Sequence, residues 1–334
     1  MVDVGAAIDR RQALALLAGA AAGACSGAVA GKGEQRGRYR WRRILAAAPY
    51  PKSYNYPVHV LHDGRFMVLH PAGTWSSRDG VSWRREPLDR VPNNTAYLGL
   101  VQHGDASIAL GRHRGSYLGF SVERTVWRTR DYRTWTALPA PGLPPLIFYG
   151  CASFAGRIWM LGGHDGRTPV NQIWSSPDGV EWQAMPRPPW SPRARGVAVV
   201  FKGRLLLIGG GAIDGEPGGD RPSSEVWATG DGVHWNKLTD HVGTPDPVGF
   251  VPQVFDDQLW LVGANRSGTF ASEMVVSANG RDWTPVAAPW SARGAMATWT
   301  DGRRLLLTGG KSSRVVRGET IFEYSNDVWE MIRA

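Results

Sequence analysis

Five times along the chain an Asp-Gly pair, or a close variant of it, sits midway between two aromatic or apolar residues at unchanging offsets. The copies are Trp75…Asp79-Gly80…Trp83, Trp127…Asp131-Tyr132…Trp135, Trp174…Asp178-Gly179…Trp182, Trp227…Asp231-Gly232…Trp235 and Val275…Asn279-Gly280…Trp283. Asp, Asn and Gly tolerate the positive φ that a turn between paired strands requires. One Asp-Gly says little, but five in a single register with their tryptophans mark a repeated hairpin.

A second hairpin alternates with the first. Its turns are Asp63-Gly64, Gly104-Asp105, Ala155-Gly156, Lys202-Gly203, Asp256-Asp257 and Asp301-Gly302, and each is followed by an apolar strand such as Ile158 to Leu161 or Leu205 to Ile208. Continuous apolar runs of that length suit strands covered on both faces. Six turns therefore define six units of about 42 to 53 residues, each with four antiparallel strands, the size of a propeller blade. The last unit stops at its third strand, Asn326 to Trp329. Tyr39 and Trp41, near the other end of the chain, carry the outer-strand pattern and are expected to complete it. The expected fold is an all-β, six-bladed β-propeller of four-stranded blades, closed by the N-terminal strand around Trp41.

With a hydrophobic strand, then Gly162-Gly163, then Trp174 and Trp182, the third unit resembles the kelch family. Gly209-Gly210 and Gly309-Gly310 agree with it, while units one, two and five lack one or both glycines. The resemblance spans residues 38 to 334 and includes the central domain of galactose oxidase. The Asp-Gly hairpins also look like Asp-boxes of sialidases with one residue missing before the tryptophan. No WD-repeat signature is present.

Composition agrees with short strands and tight turns: 42 Gly, 23 Pro and 16 Trp. The first 30 residues are different. Arg10-Arg11 precede an uncharged stretch from Ala13 to Ala24, too short for a mature membrane span and similar to a twin-arginine export signal. Cleavage after Ala30 is expected, with lipidation at Cys25 as the alternative, and residues 31–37 form a linker. The protein is thus expected to be periplasmic or extracellular, anchored to a membrane only if Cys25 carries lipid. Removal of the signal leaves Cys151 as the one cysteine, so no internal disulfide forms.

The formal charge of +9 favours anionic partners. Export and the lack of a recognition motif argue against nucleic acid. In an antiparallel blade the loops between blades share one rim with the loops joining strands two and three; the Asp-Gly hairpins and short turns occupy the opposite rim. The first rim holds Tyr149-Gly150, Arg195-Gly196 and Arg293-Gly294 ahead of inner strands, and Tyr149, Arg195 and Arg293 are the leading ligand contacts. His113, His164, Asn265, Arg266 and Lys311 join them from the second loop set. Arginine forks suit carboxylate, sulfate or phosphate, and a tyrosine suits a sugar face. An exported module binding an anionic glycan, a sugar acid or a protein partner is the expectation.

The alternative is a sugar epimerase or mutarotase acting on sialic acid or a related sugar acid, which resemblance to the kelch-type isomerases implies. Asp214 and Glu216 are the acids that would move protons. Galactose oxidase chemistry would need copper on tyrosine and histidine ligands; no histidine pair here has ligand spacing, although His103, His113 and His164 could converge in space. No cofactor or metal is expected. Cys151 is read as buried filler.

Overall fold

The apolar run after each short turn becomes the second strand of a four-stranded antiparallel sheet, six times over. A computed structural model describes residues 38–54, 58–60, 63–70, 72–87, 98–115, 119–212, 223–243, 250–266 and 269–334. The export segment at 1–30 and the linker at 31–37 lie outside them. Every element among the described residues is a strand. Blade one contains Val58–Val60, Phe66–His70, Gly73–Ser77 and Arg84–Glu86; blade two Leu100–His103, Ala106–Arg114, Ser121–Thr129 and Thr136–Pro139; blade three Gly150–Phe154, Arg157–Leu161, Ile173–Ser176 and Gln183–Ala184. Blade four contains Val197–Phe201, Arg204–Ile208, Val226–Thr229 and Trp235–Thr239; blade five Val251–Phe255, Gln258–Arg266, Thr269–Ser277 and Thr284–Ala287.

Blade six is assembled from both ends of the chain. Ala297–Thr300, Arg304–Thr308 and Val328–Arg333 are completed by Tyr39–Leu45, with Trp41 opposite Met331. Trp41 meets Trp290 edge to face at 4.8 Å and Tyr39 donates to Asp256 Oδ2 at 2.6 Å, so the closing strand is fastened to its neighbours as well as to its own sheet. Burial, then the hydrogen bond to the Asp256 carboxylate, pushes the Tyr39 hydroxyl up to about 12.

The core is divided into six wedges, one at each blade interface, in place of a central mass. Second strands supply most of it; Leu205, Leu206 and Leu207 are each 0% exposed, as covering on both faces requires. Three of the short turns take positive φ at both central residues, 48° and 72° at Ala155-Gly156, 48° and 69° at Lys202-Gly203 and 51° and 58° at Asp256-Asp257, which is the primed geometry that matches strand twist.

The Asp-Gly segments are longer links than two-residue hairpin turns. In blade three the strand ends at Ser176 and the next begins at Gln183. Side chains hold the link. Ser176 Oγ accepts the Gly179 N–H at 2.7 Å, Asp178 Oδ1 accepts the N–H groups of Val180 and Glu181 at 2.8 and 3.0 Å, and Trp182 Nε1 donates to the Gly179 carbonyl at 2.6 Å. Blades one, four and five repeat all four bonds; Asn279 Oδ1 does the work of the carboxylate in blade five. The glycine is needed twice over. Gly232 has φ of 80°, and a Cβ on it would fall 1.9 Å from the Trp159 ring of blade three. In blade two Tyr132 takes the place at φ 61°, its hydroxyl 2.5 Å from Ser107 Oγ.

One hairpin was not foreseen. Lys311–Val316 and Glu319–Tyr324 pair as a separate two-stranded ribbon inserted between the second and third strands of blade six. Its turn, Arg317-Gly318, has φ of 51° and 81°, a primed turn without the Asn or Asp that advertises one. The second and third strands of blades two and five also run on for nine residues each, so these three blades stand taller on the rim opposite the Asp-Gly links.

Candidate functional site

At the taller rim of blades three, four and six the chain approaches the inner strand through a segment bonded to the residue that follows the glycine pair. Ile147 bridges His164, Ala194 bridges Gly211 and Gly294 bridges Lys311. This pairing sets the correspondence between blades: Leu146, Arg193 and Arg293 share one position, and Phe148, Arg195 and Ala295 share another, with φ of 54°, 59° and 54°. Tyr149, Arg195 and Arg293 therefore occupy three different positions of the repeat. The expectation that all three point to the channel mouth is corrected, because the glycine that follows each of them falls at a different step of the strand.

Arg293 is buried. Its Nη1 and Nη2 donate to Asp327 Oδ1 and Oδ2 at 2.6 and 3.1 Å, and Asp327 Oδ2 also accepts the Trp329 indole N–H at 2.7 Å. Tyr149 turns into the seam between blades two and three, where its hydroxyl accepts the Gly99 N–H at 2.8 Å and burial pushes its ionisation well above the usual tyrosine value. Burial likewise pushes the neighbouring Cys151 thiol up to about 12, which leaves it an inert thiol at neutral pH.

Arg195 stays half-exposed at the mouth. Its guanidinium carbon lies 5.2 Å from the centre of the half-exposed Phe148 ring, and its own N–H donates to the Phe148 carbonyl at 2.7 Å. A guanidinium over an aromatic face combines a cation–π contact with a donor fork of the kind that grips carboxylates. Lys311 belongs to the ribbon of blade six, its Nζ 3.6 Å from the Phe322 ring centre and 5.5 Å from that of Tyr54. Tyr54 stacks on Tyr324 at 5.6 Å with 21° between planes, and both are more than a third exposed. Burial and then the adjacent Tyr54 raise the ionisation of Tyr324.

The histidines do not gather. His164 is fully buried and its Nδ1 accepts the Gly166 N–H at 3.0 Å, while His113 lies 5.7 Å from the Phe120 ring. His103 sits at the far end of its inner strand, 2.9 Å from both Ser153 Oγ and the Pro177 carbonyl. No group of three or more His, Cys, Asp or Glu that could hold a metal ion occurs among the described residues. Asn265 and Arg266 pair through their backbone with Phe270 and Thr269 at the tip of the blade-five ribbon. Asp214 and Glu216 lie outside the described residues.

Sequence reading passed over Phe148, Tyr54 and Tyr324, and it missed an ion pair between buried Arg193 and half-buried Glu225. Arg193 Nη2 donates to Glu225 Oε2 at 2.8 Å, and the same carboxylate oxygen accepts the Trp227 indole N–H at 3.1 Å. A signal for it existed. The residue two before the strand-three tryptophan is Glu225, Asp327 or Gln172, and it is acidic where the matching position upstream is Arg193 or Arg293 and neutral where that position is Leu146.

A family model described as the DUF6242 beta propeller domain matches residues 26–330. The chain belongs to that family. Comparison with curated proteins finds no match. Solved chains that match number 483, and among them the structure of YjhT aligns with a TM-score of 0.63 at 14% identity, covering 84% of this chain and 99% of that one. At that identity the likeness speaks for the propeller fold.

Proposed function

We propose that this propeller, of the kelch type, is an exported binding module that takes up an anionic carbohydrate at the taller rim. The observation that carries the reading is Arg195: a half-exposed guanidinium, backed by the Phe148 ring, held at the channel mouth by its own backbone. A cation with an aromatic neighbour fits a sugar acid, whose carboxylate meets the fork and whose apolar ring face meets the aromatic. Lys311 beside Tyr54 and Tyr324 offers the same pairing of chemistries further round the rim, and a net charge of +9 draws anions toward it. Arg10-Arg11 with the apolar stretch after them supports export by the twin-arginine route.

Titration calorimetry with glucuronate and N-acetylneuraminate, against glucose as the neutral reference, tests the reading. Carboxylate-selective binding that weakens with salt and falls about tenfold or more in Arg195→Ala is the expected result. Equal affinity for acidic and neutral sugars, or binding indifferent to Arg195→Ala, would sink it.

A further inference from the structure

We infer that the ion pair of buried Arg193 with half-buried Glu225 is a positioning device for Arg195, holding that half-buried arginine in the one backbone conformation from which it meets a carboxylate; the inference rests on the reading of the mouth as an anion site. Arg195 has φ of 59°, a left-handed conformation that disfavours any residue with a Cβ. Such strain persists only where the surroundings over-determine it. Three anchors do so here. Ala194 exchanges hydrogen bonds with Gly211, 2.7 and 2.8 Å, on one side, and the Arg195 N–H donates across the seam to blade three on the other.

The third anchor is Arg193 itself. Its side chain, 2% exposed, donates to Glu225 Oε2 at 2.8 Å, Ser223 Oγ at 3.1 Å, the Gly209 carbonyl at 3.3 Å, Ser191 Oγ at 3.1 Å and the Ser191 carbonyl at 3.1 Å. Its carbonyl meanwhile accepts the Gly163 N–H of blade three at 2.9 Å. Two residues before the strained position the chain is thus bolted to its own blade by the side chain and to the next by the backbone.

Blade six contains a natural control. Arg293 and Asp327 build the same brace, and Gly294 exchanges bonds with Lys311 as Ala194 does with Gly211, but the residue two steps on is Ala295. Blade three uses Leu146 with Gln172 and ends in Phe148. The brace belongs to the architecture, and among these three blades it terminates in a cation in blade four alone.

This predicts a sign that electrostatics by itself reverses. Glu225→Gln removes a negative charge near the mouth, which on charge alone tightens anion binding; loss of the brace loosens Arg195 and weakens it. The expected result in the full chain is that Glu225→Gln and Asp327→Asn lower the melting temperature to a similar degree, while only Glu225→Gln weakens glucuronate binding, by about tenfold. Hydrogen exchange at the Ala194 and Arg195 amides should speed up in Glu225→Gln and stay unchanged in Asp327→Asn. Unchanged exchange, tighter glucuronate binding, or equal weakening in both variants overturns the inference. If the wild type binds no carboxylate while the exchange difference holds, the brace stands and the anion site does not. Should Glu225→Gln fail to fold, Arg193→Leu with Glu225→Gln installs the pair that blade three already uses, and undiminished glucuronate binding by that folded variant overturns the inference as well.

Discussion

The two rims of the propeller are cut from the same repeats and tolerate change very differently. On the Asp-Gly rim, blades one, three, four and five make the same four hydrogen bonds around Asp79, Asp178, Asp231 and Asn279. On the mouth rim, equivalent positions hold Phe148, Arg195 and Ala295, or His164, Gly211 and Lys311. The difference lies in what each residue touches. Gly80 and Gly232 are wedged against Leu306 and Trp159 of the preceding blade, so any added atom displaces core. On the mouth rim Phe148, Arg195 and Lys311 are only half-buried, and a change of identity there leaves the wedge intact.

The sharpest way to break the comparison is to put a methyl group on the regular rim. Gly232→Ala would set a Cβ 1.9 Å from Trp159 at a positive φ, and a loss of about 3 kcal/mol or more is expected in urea unfolding. Gly203, at φ 69° on the same rim with nothing within 4 Å, should lose only about 1 kcal/mol as Ala, which separates the clash from the strain. Asp178→Ala strands the N–H groups of Val180 and Glu181 at an exposed site, and a loss of about 1 kcal/mol is expected by the same measurement.

Acid sharpens the comparison further. Burial pushes the Asp79 carboxyl up, but the Ser82 and Val81 N–H bonds with the hydroxyls of Ser82 and Ser77 outweigh it and hold the group at about 2. A carboxylate depressed on folding stabilises the protein above its unfolded pKa and loses that contribution as pH falls from about 4 through 2. Asp79→Asn, which copies Asn279 of blade five, should therefore leave neutral-pH stability almost unchanged and flatten the loss between pH 4 and 2 in acid-denaturation curves. The smallest stability effect belongs to the mouth: Arg195→Ala should shift unfolding by less than about 0.5 kcal/mol while binding of glucuronate falls, the reverse of the pattern on the Asp-Gly rim.

Trp75, Trp174, Trp227 and the Asp-Gly offsets announced the blades because strand pairing repeats a local pattern at fixed spacing, and Trp41 announced closure for the same reason. The ribbon from Lys311 to Tyr324 went unannounced since Arg317-Gly318 makes its turn without an Asn or Asp. The mouth was legible only as a basic rim. Arg195 and Arg293 look alike in sequence, each followed by glycine, yet one is half-exposed over Phe148 and the other is buried on Asp327.

By itself, then, the sequence determined the six-bladed fold and its closure through Trp41, because hydrogen-bonded hairpins and apolar strands are written in spacings of a few residues. Tertiary structure alone decided which arginine is buried on a carboxylate and which stays partly exposed over an aromatic ring. That choice depends on partners far along the chain, Glu225 for Arg193 and Asp327 for Arg293, and on a shift of register at the inner strands that no local pattern records.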